Sequence, residues 1–163
     1  MAADEALIAE PYIAFELAST TYAIPSRLVQ QVEMIEQITP VPNAPGAVDG
    51  VIYSRGQVIP AVNLRSRFGL EKIAIGLRTR LIVVNISGRT IGLIVDTARE
   101  FISIAPGSIQ APNEAISGMS GNYLKGIAKL ADRIILILDL EETINLSEIT
   151  MGSQGPALSS QAV

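Results

Sequence analysis

The sequence predicts an all-β protein built from two copies of one small unit. Short runs of β-branched and aliphatic residues alternate with polar residues, turn-forming residues interrupt these runs at short intervals, and the pattern recurs in the second half of the chain. Alternation with a period of two is typical of half-buried strands, whereas an amphipathic helix repeats every 3.6 residues. Only two short helices are expected beside the strands.

In the first half, the expected strands cover residues 12–17, 22–24, 31–35, 50–53 and 57–62. The loop before the fourth strand contains Pro40, Pro42 and Pro45, which neither a helix nor a central strand tolerates. Ser54-Arg55-Gly56 is the expected turn of a hairpin. A short helix is expected next, with Asn63 as its N-cap and Gly69 as its end.

In the second half, the expected strands cover residues 80–86, 90–95, 101–104, 124–130 and 133–138. Residues 106–121 are expected to form a loop, and a second short helix begins at the N-cap Asp139. We expect one domain over residues 11–147, with one subdomain over about 18–78, a second subdomain over about 79–147, and a first strand shared between them. Residues 1–10 and 148–163 are expected to be flexible tails.

The recurrence aligns without gaps in two blocks. Residues 15–24 match residues 84–93 at an offset of 69, and residues 50–64 match residues 126–140 at an offset of 76. The second offset is larger because the central loop of the second copy is longer. Each copy is near the size at which a hydrophobic core becomes marginal, so the two copies should pack against each other.

Composition argues against catalysis and cofactors. The chain has no cysteine and no histidine, which removes thiolate and imidazole nucleophiles, bases and metal ligands. A net charge of −4 without basic clusters, and the absence of tryptophan, argue against nucleic-acid binding. No apolar run approaches the ~20 residues of a membrane span, and the N-terminus lacks the positive start of a signal peptide. We therefore expect a cytoplasmic protein without cofactors or membrane insertion.

The hairpin at residues 50–65, Gly-Val-Ile-Tyr-Ser-Arg-Gly-Gln-Val-Ile-Pro-Ala-Val-Asn-Leu-Arg, resembles the hairpin of CheW domains, which typically reads Gly-Val-x-Asn-Leu-Arg-Gly and then Val-Ile-Pro-Val-Val-Asp-Leu-Arg. The segments at residues 22–32, 67–69, 92–96 and 137–140 are also similar to this family. The resemblance covers roughly residues 11–147. It implies two intertwined five-stranded β-barrels around a shared hydrophobic core, with short capping helices.

The resemblance also implies a function. A CheW-like protein is expected to be a non-catalytic adaptor that couples the hairpin tip of a methyl-accepting chemoreceptor to the regulatory domain of a CheA-type histidine kinase, at membrane-associated receptor arrays. The alternative is a module of the same fold in a non-chemotactic or surface-motility kinase assembly. An enzyme would need a site such as Lys125 or Lys129 beside a serine, and no such constellation converges in the sequence.

The resemblance gives nine candidate partner-binding residues: Val29, Gln31, Val32, Ile35, Val51, Arg55, Gly56, Val95 and Ala98. The aliphatic residues among them would line a groove for a receptor helix, and Arg55 would project toward a partner carboxylate. For each valine, ordinary core packing is the alternative, and Gly56 has a turn role in either case.

The chain departs from the family at Gln31, where an acid is usual, at Tyr53-Ser54, where Asn-Leu is usual, and at Asn63, where Asp is usual. If the family's acid pairs with the hairpin arginine, Gln31 offers Arg55 only a neutral hydrogen bond.

Overall fold

The computed structural model describes residues 9–112 and 123–144. Within them the chain forms eleven strands and two short helices, so the all-β prediction is confirmed. The strands are β1 (Glu10–Leu17), β2 (Thr20–Pro25), β3 (Val29–Met34), β4 (Val48–Ser54), β5 (Gln57–Asn63), β6 (Arg80–Ile86), β7 (Arg89–Val95), β8 (Thr97–Ile104), β9 (Ile109–Gln110), β10 (Leu124–Leu130) and β11 (Arg133–Leu138). The helices are α1 (Leu64–Arg67) and α2 (Leu140–Ile144). The expected tails and the end of the central loop lie largely outside the described residues.

The strands form two sheets that exchange their first hairpins. Sheet 1 has the order β8-β1-β2-β11-β10-β9, and sheet 2 has the order β3-β6-β7-β5-β4. The β1–β2 hairpin therefore joins strands from the second half of the chain, and the β6–β7 hairpin joins strands from the first half. Strand pairing does not follow the expected division into residues 18–78 and 79–147, because a whole hairpin, rather than one shared strand, crosses in each direction.

The internal repeat is confirmed by strand register. The parallel pair Ala23↔Ile137 in sheet 1 corresponds to the parallel pair Gly92↔Ala61 in sheet 2, at the offsets of 69 and 76 that the sequence predicts. The predicted helix caps also correspond. The Asn63 side chain accepts a hydrogen bond from the backbone N–H of Ser66, and Asp139 Oδ1 accepts one from the N–H of Glu142.

Three apolar clusters fill the fold. One lies within sheet 1 around Ile104 and Ile135, and one lies within sheet 2 around Ile59 and Leu81. The third and largest includes Phe15 and residues of both sheets and both helices. This third cluster is the shared core that the sequence predicts, and its burial holds the two sheets together.

Polar contacts bring the edges of each sheet toward each other. In sheet 2 the backbone of Thr39 pairs with Val51, and in sheet 1 the two-residue strand β9 pairs with the equivalent part of β10. Sheet 1 therefore counts six strands where five were expected. Arg133 on β11 also forms an ion pair of 2.6 Å with Glu100 on β8.

One glycine in each sheet lies where neighbouring atoms leave no room for a Cβ atom. Gly50 and Gly126 are equivalent residues, and both follow a register shift in their hairpin. A Cβ atom on Gly50 would overlap the carbonyl oxygen of Thr39, and Gly50 has φ +152°. A Cβ atom on Gly126 would overlap Cγ2 of Ile109. Both positions therefore require glycine.

We predict that Gly50→Ala lowers the free energy of unfolding by about 1–3 kcal/mol, because the Thr39 backbone must move to admit the methyl group. Urea denaturation followed by circular dichroism measures this change. Gly46→Ala is the matched control, since nothing lies within 4 Å of its Cβ position, and we expect it to stay within about 0.5 kcal/mol of the wild type. Equal stability of the two variants would contradict the steric argument.

An ion pair joins three elements where the chain crosses between the sheets. Arg65 on α1 binds Asp96, at the end of β7, through two hydrogen bonds of 2.7 and 2.6 Å. Asp96 also accepts a hydrogen bond of 2.9 Å from the N–H of Ala18, in the β1–β2 turn. Burial disfavours ionisation of Asp96, but the hydrogen bonds from Arg65 and Ala18 and the charge of Arg65 outweigh it, so the pKa of Asp96 is lowered. The pair therefore ties the β1–β2 hairpin of sheet 1 to sheet 2.

We predict that Asp96→Asn lowers the free energy of unfolding by about 1–3 kcal/mol at neutral pH, because it leaves the largely buried Arg65 without its carboxylate. Since the pKa of Asp96 is lowered in the folded state, its contribution is fully present above the ordinary value of 3.8. That contribution is lost as the pH falls through 3.8 toward the lowered pKa. Urea titrations of both proteins at neutral and acid pH measure this, and a difference that persists undiminished in acid would contradict the assignment.

Candidate partner-binding surface

The outer face of the β4–β5 hairpin exposes two large apolar side chains. Ile52 and Ile59 point into the cluster inside sheet 2, so their neighbours Tyr53 and Val58 point outward. Tyr53 is 73% and Val58 is 62% exposed, and the two residues lie directly opposite each other in the strand register. Side chains in such a pair contact each other, so they form a continuous apolar surface.

The tip of this hairpin presents the candidate Arg55. Arg55 has φ 51° and Gly56 has φ 79°, the two positive values of the tight turn that suits the right-handed twist of hairpins. Arg55 is exposed, and it makes no hydrogen bond or ion pair with the part of the chain that the structure describes. Its guanidinium is therefore available to a partner, while Gly56 supplies the turn.

Gln31 contacts Glu33 and Ser54 rather than Arg55. Its amide donates hydrogen bonds of 2.6 Å to Glu33 Oε2 and 2.9 Å to Ser54 Oγ. The hydroxyl of Ser54 lies 3.2 Å from the same Glu33 oxygen. Two of the departures from the usual pattern, at Gln31 and Ser54, are thus partners of each other. The expected neutral hydrogen bond to Arg55 is not formed.

The third departure has a partner as well. The amide of Asn63 donates a hydrogen bond of 2.9 Å to Asp49 Oδ2, while its side-chain oxygen caps helix α1. An aspartate at residue 63 could still cap the helix, but it would place a second carboxylate against Asp49. The amide supplies a donor and an acceptor at once.

A bulge in β3 decides which of its candidate residues share a face. The register shifts between Val29, which pairs with Val84, and Gln31, which pairs with Val83. As a result Val29 and Val32 lie on the same face of β3, the face of their partners Val84 and Ile82 in the shared core. Val32 is 39% exposed, and Val29 packs partly against the shared core. Ile35 instead packs against the cluster inside sheet 2, so it points to a different side from Val32.

The opposite wall of the expected groove is not an open surface. Val95 is 1% exposed and belongs to the shared core, so a partner cannot touch it in this structure. Ala98 is half-buried against the same cluster. Val51 is half-buried on the same hairpin face as Tyr53. The structure thus places Gln31 against Ser54, next to the Arg55 tip, and buries Val95.

Sequence interpretation missed the apolar surface formed by Tyr53 and Val58. The sequence does predict this surface. Side chains alternate along a strand, so Tyr53 and Val58 point outward when their neighbours Ile52 and Ile59 point inward. The arginine that binds Asp96 was also missed. Neither the residue type of Arg65 nor its separation from Asp96 in the sequence indicates that the two side chains form an ion pair where the chain crosses between the sheets.

The reactive site considered from the sequence does not form among the described residues. Asp96 binds Arg65 and Asp139 caps α2, so each of these aspartates has a structural partner. Lys125 and Ser87 line the same cleft, but no hydrogen bond joins their side chains, as an activated serine requires. No group of three or more acidic side chains in residues 9–112 and 123–144 could hold a metal ion. No helix in these residues is long and apolar enough to cross a membrane.

Comparison with known proteins identifies the family. A model of the CheW-like domain matches residues 11–148. The chain belongs to the CheW-like domain family. Chemotaxis protein CheW of Helicobacter pylori is 34% identical, over 82% of this chain and 80% of that protein. Protein FrzA of Myxococcus xanthus is 31% identical over 60% of this chain and 64% of that protein.

A solved structure supports the same fold. The scaffolding protein TtCheW of Thermoanaerobacter tengcongensis superposes with a TM-score of 0.76 and is 33% identical, covering 81% of this chain and 90% of that chain. The recognised CheW hairpin at residues 50–65 is therefore the β4–β5 hairpin that carries Tyr53, Arg55 and Val58.

We predict that restoring the usual acid of CheW-like domains, by Gln31→Glu, destabilises this protein at neutral pH. The new carboxylate would lie against Glu33, and two adjacent carboxylates repel unless one takes up a proton. We expect a loss of about 1 kcal/mol, measured by thermal unfolding, that shrinks as the pH is lowered. The double variant Gln31→Glu/Glu33→Gln should recover the loss, and a failure to recover it would contradict the network.

Proposed function

We propose that this chain is a non-catalytic adaptor that couples chemoreceptor tips to a CheA-type histidine kinase. It would do so on the cytoplasmic side of membrane-associated receptor arrays. The observation that carries the proposal is the exposed pair Tyr53 and Val58 beside the exposed Arg55, which makes no hydrogen bond or ion pair with the described residues. Aromatic residues and arginine are the side chains most enriched at the energetic centres of protein interfaces.

The apolar exposure favours a protein partner rather than a small molecule. Tyr53 and Val58 lie on the flat outer face of a hairpin, whereas ligand sites are concave and enclose most of the ligand. Arg55 stands at the edge of this face, where a charged contact adds specificity and speeds association. The kinase regulatory domain would therefore carry an apolar face with a carboxylate at its rim.

The receptor hairpin would bind at a second surface. The exposed Val32 and the half-buried Val29 on β3, with the half-buried Val51 on β4, offer aliphatic contacts of the kind that an amphipathic helix requires. The two surfaces are joined by the contact of Gln31 with Ser54, at the base of the β4–β5 turn. A shift of β3 on receptor binding would therefore act on the hairpin that binds the kinase.

We predict that Arg55→Glu weakens binding to the regulatory domain of a CheA-type kinase from the same organism by at least about tenfold, or 1.4 kcal/mol. Isothermal titration calorimetry measures this affinity, which we expect to be micromolar for the wild type. The thermal unfolding of the variant should be unchanged, because the exposed Arg55 makes no hydrogen bond or ion pair with the described residues.

Arg89→Glu is the matched control, since Arg89 is an exposed arginine beside the turn of the β6–β7 hairpin. It should bind like the wild type. Equal weakening by both variants would indicate a general charge effect, and unchanged binding of Arg55→Glu would remove this residue from the interface.

The alternative is an adaptor in a surface-motility or other non-chemotactic kinase assembly. The similarity to FrzA and the departures at Gln31 and Tyr53-Ser54 favour keeping this candidate. Titration against the kinases of each assembly in the same organism distinguishes the two functions. Binding to a kinase that acts without chemoreceptors, and to no other, would support the alternative.

A further inference from the structure

The segment that connects helix α1 to strand β6 carries a group of exposed aliphatic side chains. Residues 71–78 are all exposed, and among them Ile73 is 52%, Ile75 is 46% and Leu77 is 83% exposed. Ile73 and Ile75 stand two residues apart, so in an extended chain they point to the same side. Apolar side chains that are exposed as a group, rather than singly, mark interaction surfaces.

Both ends of this segment are fixed to the rest of the protein. At its start Lys72 forms an ion pair of 2.7 Å with Asp49 on β4. At its end the N–H of Gly76 donates a hydrogen bond of 2.9 Å to Oγ1 of the buried Thr79. Because the segment is already held at these points, a partner that binds it has less conformational entropy to remove.

The backbone between these ends has no hydrogen-bond partner. The N–H and C=O groups of residues 72–75 make no hydrogen bond with the part of the chain that the structure describes. Residues 70–76 contain no turn or bend and no positive φ angle, so the segment is extended. An exposed, extended segment with unpaired backbone groups and apolar side chains has the features of a strand that pairs with a strand of another molecule.

A strand suits this segment better than a membrane surface does. Aliphatic side chains beside Lys72 and Arg78 could contact anionic lipid. However, the unpaired N–H and C=O groups of residues 72–75 would then enter the bilayer without partners, at a large cost in free energy. A paired strand supplies these groups with donors and acceptors and covers the isoleucines at the same time.

The segment is complementary to a second copy of itself. In an antiparallel pair about a twofold axis beside Ala74, Ile73 of each copy lies opposite Ile75 of the other, and the two Ala74 residues lie opposite each other. Side chains directly opposite each other on paired strands are in contact, so four isoleucines form one apolar face. The same surface serves both copies, as a twofold axis requires.

The charges of the segment favour the antiparallel arrangement over the parallel one. The segment starts with Glu71 and Lys72 and ends with Arg78. In an antiparallel pair, Glu71 of one copy lies at the same end as Arg78 of the other, and the nearby Lys72 is already paired with Asp49. A parallel pair in register would instead place Lys72 beside Lys72 and Arg78 beside Arg78, and like charges directly opposite each other are destabilising.

We propose that residues 72–76 of two copies of this chain pair as antiparallel strands, and that the chain thereby forms a weak, twofold-symmetric dimer. The paired segments are too short to reach the roughly 800 Å² per partner of a stable complex, so the dimer forms only at high protein concentration. Tyr53, Arg55 and Val58 take no part in this pairing. The inference therefore does not depend on the proposed function.

Single cysteine variants test the pairing, because the chain itself contains no cysteine. In the proposed register the Cα atoms of the two Ala74 residues lie about 4.5–5.5 Å apart, a distance that a disulfide spans. Ala74→Cys is therefore the test variant. Gly76→Cys is the matched control, since nothing lies within 4 Å of its Cβ position and the two copies of residue 76 lie at least about 13 Å apart.

The full-length variants are oxidised with diamide at high protein concentration, and disulfide-linked dimers are quantified on non-reducing gels. We expect Ala74→Cys to form the dimer several-fold faster than Gly76→Cys in native buffer. In urea the two variants should react alike, because only random collision then brings the thiols together. A native rate for Ala74→Cys that does not exceed the rate for Gly76→Cys would overturn the proposal.

Sedimentation equilibrium tests the dimer without a cross-link. The wild type should associate as its concentration rises toward millimolar, whereas Ile73→Ser/Ile75→Ser should stay monomeric. Val41→Ser/Ile134→Ser is the matched control, since it also replaces two exposed aliphatic residues, and it should associate like the wild type. Unfolding curves verify that each variant is folded. A monomeric wild type, or one that uses these isoleucines to bind anionic phospholipid vesicles or a different protein instead, would contradict self-pairing.

Discussion

Exchange of the first hairpins is the constraint on which the rest of this structure depends. Sheet 1 has β2 next to β11, and sheet 2 has β7 next to β5, so neither half of the chain can complete a sheet alone. The exchange brings Phe15 and its neighbours into the core between the sheets, where both halves bury apolar surface. It also brings the β1–β2 turn to Asp96, where a largely buried ion pair fixes the crossing of the chain. Packing and electrostatics therefore reinforce the same connection.

Periodicity predicted the strands and the repeat, but it could not predict the exchange. Residues 15–24 and 84–93 have the same alternation of apolar and polar residues, and this alternation reports which side of a strand is buried, not which sheet the strand joins. The short helices were predictable for a different reason. Asn63 and Asp139 act locally, through hydrogen bonds to the N–H groups of their own helices.

The candidate site shows the same division between local and distant interactions. The Arg55 tip was predictable, because the turn chemistry of the hairpin and the resemblance to CheW domains agreed. The common face of Val29 and Val32 was not predictable, because the bulge beside Val29 changes the face on which later residues point, and no residue type indicates a bulge. Val95 was a candidate for the opposite wall of the groove, but it is buried in the core that the two sheets share. Gln31 and Ser54 looked like independent departures until the structure placed them in contact.

Hairpin exchange also delays the completion of sheet 1 during synthesis, because β2 pairs with the late strand β11. The β1–β2 hairpin leaves the ribosome first, but its neighbour β11 begins at Arg133, more than one hundred residues later. At about 5–20 residues per second, this hairpin exists for roughly 5–20 s before β11 is made. Throughout that interval the backbone groups on the β2 edge have no native strand to pair with, and the apolar face that includes Phe15 is uncovered. The nascent chain therefore presents an exposed strand edge that can pair with other chains until β11 is made.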